Sequence, residues 1–302
     1  IGLGNIGSYL FNYLKVNKKI LTEKNNCQPL IKYVSAKNKG RKRKIKINKN
    51  QWLNNYLDAT KKKDVDLIIE LIGGSEGAAK KLVFNALKNK KHVVTANKAL
   101  IAKYGDELSK IAERNKVNLE FEASVCGGVP VIRSLKEGLI ANKISKIYGI
   151  FNGTSNYILS SMDKQNKGFD EVLSNAKKLG YAESNPSADL NGDDVSSKLK
   201  ILSSLCFNSF LNNNIYVEGI KGIDKTDIDN ANKLGFKIKL LGFAEIINNR
   251  IYQRVHPTLI KKDSYVASID GVLNAVIIDG KPVGQSIIQG EGAGPAATTS
   301  AL

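Results

Sequence analysis

The chain is poor in the residues that bind metals or cross-link a fold. Of 302 residues only two are histidine, three cysteine and six proline. Cys27, Cys126 and Cys206 show no metal-ligand spacing and no even framework. A disulfide scaffold is thereby excluded, and a reducing compartment, the cytoplasm, is expected. His92 and His256 have no Cys, Asp or second His at ligand spacing, which argues against zinc-dependent alcohol chemistry. Cys126 could be an aldehyde-attacking nucleophile, but it lacks a histidine nearby in sequence, and a small buried thiol is the plainer reading. No window approaches about eighteen uncharged apolar residues, so no membrane span is expected, and no secretory leader is visible.

Acidic residues are also few, 28 against 46 lysines and arginines, for a formal charge of +18. Such an excess can mark a nucleic-acid partner. Here the lysines are scattered, and the densest run, Lys37 to Lys49, lies beside a candidate cofactor site. Most of the charge therefore reads as solvated surface, with no nucleic acid expected.

What is present begins at once with Gly2-Leu3-Gly4-Asn5-Ile6-Gly7. The first glycine permits a tight turn, the second lets the backbone approach a pyrophosphate, and the third lets helix and strand pack closely. Such a turn follows a strand, and only Ile1 stands before it. We expect the sequence to lack a few residues of that strand, and the apolar 297–302 segment to be cut as well. Behind the glycines the pattern alternates. A helix follows from Gly7, a strand from Leu30 to Ser35, a short helix from Gln51 to Leu57, and a strand from Val65 to Ile72. Helix Ala78–Lys88, strand His92–Thr95, helix Gly105–Arg114 and strand Val117–Glu122 come next. This is the grammar of a parallel sheet covered by helices. Later come a strand from Lys146 to Phe151, helices from Tyr157, over Phe169–Leu179 and over Val195–Phe207, and strands near 251–255, 266–269 and 275–279.

The predicted fold class is α/β: a Rossmann-type nucleotide-binding domain with a second α/β domain containing an open mixed sheet. The expected divisions are 1–130 for the nucleotide, 131–280 for substrate, catalysis and dimerisation, and 281–302 returning to the nucleotide domain.

Ligands bind such sheets at the C-terminal ends of the strands. Gly73-Gly74, Gly127-Gly128 and Asn97-Lys98 stand there, each with the bland alternative of a sharp loop held for packing. Lys98 would lie beside the nicotinamide end. The second strand ends in Ser35-Ala36-Lys37-Asn38-Lys39 with no acid to hold ribose hydroxyls; Lys37, Lys39 and Arg41 favour a 2′-phosphate, hence NADP over NAD. An exposed lysine loop is the alternative. Asn152-Gly153-Thr154 could cap a helix and hold a substrate carboxylate by backbone N–H groups. Asp194 and Lys198, four apart at a helix start, share a face. Asp189 and Glu183 precede them, and Tyr181 could wall the same pocket. Carboxylates around one lysine suit a zwitterionic substrate, the lysine contacting an oxygen that changes protonation during hydride transfer. By composition alone the same residues make an N-cap with a surface Asp–Lys pair.

Together these segments, with Phe121 to Pro130, Gly149 to Leu159 and Gly180 to Lys198, make the chain similar to the homoserine dehydrogenase family over essentially its whole length. The resemblance implies NAD(P)H-dependent interconversion of L-aspartate 4-semialdehyde and L-homoserine, in threonine, methionine and isoleucine biosynthesis. It implies Lys198 and Lys98 at the reacting oxygen with Asp189 nearby, and Glu183 (at the amino group) and Asp194 binding substrate. Which lysine gives the proton is left open. Gly2, Gly4, Asn5, Ile6, Gly7, Lys37, Arg41, Gly73, Gly74, Asn97, Lys98 and Gly292 are implied in cofactor binding. A homodimer through the second sheet is implied too, as is a structural monovalent cation such as sodium, held mainly by backbone oxygens of Glu122, Val125, Gly127 and Val129. One departure stands out: the family's Glu-x-Asp-Pro is here Glu183-Ser184-Asn185-Pro186. Competing readings are another NADP-dependent dehydrogenase of a small amino-acid-like substrate, a nucleic-acid module, and a cofactor-binding protein without turnover.

Overall fold

The computed structural model describes residues 1–208 and 215–302. The chain forms two units. The first comprises Ile1–Gly127 and Gly294–Leu302, the second Gly128–Ala293. The return is shorter than the expected 281–302, because 284–291 stays in the second unit as a sheet edge.

In the first unit, β1 (Leu67–Glu70), β2 (His92–Thr95) and β3 (Leu119–Glu120) are parallel and in that order. Helices α1 (Asn5–Val16), α2 (Lys18–Asn25), α3 (Ala78–Lys88) and α4 (Lys98–Asn115) belong to this unit, with α11 (Pro295–Ala301) returning against α1. Helix α3 forms because Ala79, Leu82, Val83, Ala86 and Leu87 recur on one face, and all are buried.

Three expectations are corrected here. The strand predicted over 30–35 is extended chain with a single bridge, Val34 to Trp52. On its other side only Gly2 N reaches it, donating to Ser35 O at 2.9 Å, while Ile1 O accepts from Leu71 N at 2.8 Å. One bridge and one flanking bond fall short of the repeated pairs that make a ladder. The helix predicted over 51–57 is split into single turns at Lys49–Gln51 and Tyr56–Thr60, because Asn48 and Asn55 each start a separate turn. The strand predicted over 117–122 shrinks to two residues, since Glu122 opens a turn over 122–124.

The second unit is built on a six-stranded sheet of β4 (Lys143–Ile150), β5 (Tyr216–Val217), β6 (Phe236–Ile247), β7 (Arg250–Lys261), β8 (Leu273–Lys281) and β9 (Gly284–Glu291). Their order is β5-β7-β6-β4-β8-β9; β5–β7 is parallel and the other pairs antiparallel, so the sheet is mixed. Helices α5 (Val131–Arg133), α6 (Gly153–Gln165), α7 (Phe169–Lys178), α8 (Ser187–Leu190), α9 (Asp193–Phe207) and α10 (Lys225–Lys233) complete it. Gly242 lets α9 approach: a Cβ there would lie 2.7 Å from the Phe151 ring and 2.9 Å from Val195. The other face carries a cluster of Ile150, Leu241, Ala275 and Ile277, partly covered by Val266 and Ile269. Those last two come from 266–269, predicted as a strand. The segment is instead a single turn, started by Ser264, whose Oγ accepts from Ala267 N. Among the described residues, no helix is long and apolar enough to cross a membrane.

Candidate active site

In the first unit each fingerprint glycine meets a different constraint. Gly2 has φ +98°, and a Cβ there would lie 2.4 Å from Leu71 O. A Cβ on Gly7 would lie 2.1 Å from Gly2 O, so this glycine lets α1 close on the turn. Gly4 has nothing within 4 Å of its would-be Cβ. Packing explains Gly2 and Gly7; Gly4 keeps open space before the first turn of α1, where Asn5 and Ile6 begin the helix and its N–H groups attract anions. A pyrophosphate fits this cradle.

The basic loop follows on the same side. Lys37 and Arg41 are exposed. Arg43, which no sequence signal separated from its basic neighbours, folds the loop. Its guanidinium donates to Leu3 O (3.0 Å), Lys39 O (3.3 Å), Arg41 O (2.9 Å) and Asn38 O (2.6 Å), and lies 5.6 Å from the Trp52 ring centroid. Lys39 sits 5.7 Å from the same centroid.

At the strand ends, Gly73 (φ +86°) and Gly74 (φ +78°) turn the chain with open space at both positions. Asn97 caps α4, its Oδ1 accepting from Leu100 N at 3.1 Å, and its Nδ2 donates to Gly74 O at 2.7 Å. Lys98 opens that helix, half-buried. A cation at a helix N-terminus opposes the helix dipole, so this placement does not stabilise α4. Below lies Glu70, fully buried and absent from the sequence-based candidates. An acid at the end of a hydrophobic strand was the available signal.

In the second unit, β4 delivers Phe151 and Asn152 to the start of α6. Asn152 is buried; its Oδ1 accepts from Ser155 N at 2.8 Å, and its Nδ2 donates to Asp189 Oδ1 (2.7 Å) and Asp194 Oδ2 (2.9 Å). Lys198 pairs with Asp194 at 2.8 Å and donates to Phe151 O at 2.6 Å. Their side chains are 10% and 5% exposed, so this is a buried pair, unlike the surface pair that composition allowed. Replacing such a pair by apolar side chains is often stabilising. Its presence is therefore not accounted for by stability. Gly192, at φ +88°, and Gly219, whose Cβ would lie 2.0 Å from Leu190 O, bring the 189–194 turn close to its neighbours.

Other expected residues fall around this centre. Thr154 Oγ1 donates to Tyr181 O at 2.7 Å, and the Tyr181 ring packs 4.9 Å from that of Tyr157. Gly153 is required by packing, since a Cβ would lie 2.6 Å from Val272 O. Glu183 is exposed. Asn185 Oδ1 accepts from Ser187 Oγ (2.7 Å) and N (3.3 Å), so it keeps the Asx-turn acceptor that Asp would provide. Gly292 is held by packing, a Cβ there meeting Asn274 at 2.2 Å. Val125 and Val129 are buried, Glu122 begins a turn, and Cys126 (φ 52°) and Gly127 (φ 25°) are left-handed.

Known proteins similar to this chain fall in one family. Residues 2–122 match the family described as "Homoserine dehydrogenase, NAD binding domain", and 130–302 match "Homoserine dehydrogenase". A homoserine dehydrogenase of Neisseria gonorrhoeae is 41% identical over all of this chain and 69% of its own length. The crystal structure of a homoserine dehydrogenase from Thiobacillus denitrificans has 40% identity and a TM-score of 0.91, over 99% of this chain and 70% of that one. The S. aureus homoserine dehydrogenase structure at pH 7.5 has 38% identity and a TM-score of 0.86, over 99% and 74%. With a nucleotide-binding unit of this kind and a buried lysine–carboxylate centre on a mixed sheet, the chain belongs to the homoserine dehydrogenase family, whose members interconvert L-aspartate 4-semialdehyde and L-homoserine with NAD(P)H.

Proposed function

We propose that reduction of the aldehyde is carried by Lys198 and the carboxylates around it, with NADP as the preferred cofactor. The observation that carries the reading is the buried Asp194–Lys198 pair, joined through Asn152 to Asp189. When bound, the nicotinamide supplies a hydride to the carbonyl carbon. The chain's own task is to stabilise the oxygen as it becomes an alkoxide and to give it a proton. Lys198 Nζ, fixed by Phe151 O and Asp194, presents positive charge for that oxygen. Asp189 orients the hydroxyl or an intervening water. Glu183, free to swing, takes the substrate ammonium, while Thr154, Tyr181 and the first turn of α6 bound the substrate.

For the cofactor, Gly2, Gly4, Asn5, Ile6 and Gly7 hold the pyrophosphate, and Lys37, Arg41 and Lys39 the 2′-phosphate. Support comes from the open Gly4 position and the exposed basic side chains of a loop that Arg43 folds. Gly73, Gly74, Asn97 and Lys98 complete the cofactor surface.

A homodimer is proposed through the less covered sheet face. There Arg254, Phe243, Tyr148, Ile277 and Ile287 form one row across β7, β6, β4, β8 and β9. Backbone oxygens of Glu122, Val125, Gly127 and Val129 are proposed to hold a monovalent cation. Support is the consecutive left-handed pair Cys126 and Gly127, a conformation costly for a residue with a Cβ. The cytoplasm suits the free thiols of Cys27 and Cys206.

The test is NADPH oxidation with L-aspartate 4-semialdehyde, with NADH run in parallel. Turnover with a lower KM for NADPH is expected. Replacing Lys37, Lys39 and Arg41 together raises the NADPH KM more than the NADH KM; equal changes would overturn the 2′-phosphate assignment.

A further inference from the structure

Glu70 ends β1 with a side chain wholly shielded from solvent, and the reaction as proposed does not use it. Its two oxygens serve two different loops. Oε1 accepts from Ile72 N (2.7 Å) and Gly73 N (3.1 Å), at the turn that follows β1. Oε2 accepts from Thr95 Oγ1 (2.5 Å) at the end of β2. Thr95 Oγ1 accepts in turn from Asn97 N at 3.0 Å, and Asn97 Nδ2 returns to Gly74 O at 2.7 Å. The chain of bonds is closed: turn, carboxylate, hydroxyl, helix cap, turn.

A buried carboxylate is costly to desolvate, and charge-assisted hydrogen bonds offset that cost. An apolar residue at this strand end would hold the sheet with no such cost. What the carboxylate adds is orientation. The two loops it joins lie at the C-terminal ends of adjacent parallel strands, where sheets of this kind bind ligands. One contains two glycines in left-handed conformation with open space beside them, a segment with little side-chain packing of its own. The other carries Lys98.

We propose that Glu70 is a positioning residue for the dinucleotide, acting through Thr95 to fix the 72–74 turn and the Asn97 cap as one preformed surface. This rests on the assignment of both loops to the cofactor site. The difference between ordered and loose loops is the entropy lost on binding, so cofactor affinity is the property that responds.

The test is NADPH binding to the whole protein, followed by nicotinamide fluorescence, with the thermal midpoint and the substrate KM measured alongside. Glu70→Gln retains shape and one acceptor but loses the charge; its NADPH Kd rises about tenfold while the substrate KM changes by less than about twofold. Thr95→Val, which cuts the same circuit at the hydroxyl, raises Kd about three- to fivefold, and Thr95→Ser restores it. A Glu70→Gln protein that is less stable yet binds NADPH with unchanged Kd would overturn the proposal, reducing Glu70 to a fold determinant. If Glu70→Gln does not fold, the Thr95 pair decides, and equal Kd for Thr95→Val and Thr95→Ser would overturn it. Wild-type protein that binds NADPH but does not reduce L-aspartate 4-semialdehyde would break the catalytic reading alone, leaving the Kd comparison to judge Glu70.

Discussion

Two asparagines do the same local job in different surroundings. Asn97 caps α4 at a strand end of the first unit, and Asn152 caps α6 at a strand end of the second. Each spends its Oδ1 on the helix and its Nδ2 on a neighbouring segment. Around Asn97 that segment is a backbone carbonyl of a glycine turn, over a carboxylate that faces N–H and O–H donors. Around Asn152 it is two carboxylates and, through one of them, Asp194, a buried ammonium. In the proposed function the first arrangement shapes backbone to receive the cofactor and the second gathers charge that acts on the substrate. On that proposal the same capping residue serves binding in one unit and chemistry in the other.

The strongest way to break this comparison is Lys198→Ala. It is expected to lower kcat by a factor of about 10² to 10⁴, the usual span of a general acid–base contribution. NADPH affinity in that variant stays close to wild type, as steady-state kinetics and direct binding will show. Loss of the charge also removes the cation paired with the buried Asp194, so destabilisation of about 3–5 kcal/mol is expected, to be read from denaturant unfolding.

The complementary variant is Gly4→Ala. Its φ of −76° suits alanine and nothing lies within 4 Å, so thermal stability is retained. NADPH Kd rises, by about tenfold or more, because the methyl group occupies space left for the pyrophosphate. Gly7→Ala, with Gly2 O only 2.1 Å from the new Cβ, fails to fold instead. Equal stability in both variants would contradict the division between an open and a packed glycine.

Away from both sites, Asp270 sharpens the contrast by holding charge for stability. Burial tends to raise its carboxyl, and hydrogen bonds from Lys239 and Lys164 outweigh that, leaving it below the ordinary 3.8. Because the folded value is depressed, its stabilisation is present above pH 3.8 and is lost as pH falls through the folded value. Asp270→Asn therefore costs about 1–3 kcal/mol at neutral pH and flattens the acid limb of the stability profile, with kcat unaffected. The smallest effect concerns thiols. Cys27 is exposed, whereas burial pushes Cys206 up to about 12. Maleimide at neutral pH labels Cys27 faster than Cys206.

Helix α3 and strand β2 were legible to the residue, because their apolar periodicity is uninterrupted. Strand β6 was not. Lys237 and Lys239 interrupt its pattern, yet Lys239 is 1% exposed, its Nζ donating to Asn156 Oδ1, Ile269 O and Asp270 Oδ1. A lysine satisfied by residues 30, 31 and 83 positions away cannot be told from a surface lysine in sequence. The edge strand β9, with alternate residues exposed and three glycines nearby, gave too weak a signal. At the site, the i,i+4 spacing of Asp194 and Lys198 announced their contact, but not that it is buried. Glu70 and Arg43 act on backbone brought together by folding, from 2 to 40 residues away, and spacing carries no trace of that.

The most direct measurement is NADPH affinity and kcat determined side by side on Lys198→Ala and Gly4→Ala. The account predicts a crossed result: Lys198→Ala loses turnover and keeps NADPH affinity, while Gly4→Ala loses affinity and recovers turnover when NADPH is saturating. Parallel losses of both properties in both variants would contradict the assignment of binding to one unit and chemistry to the other.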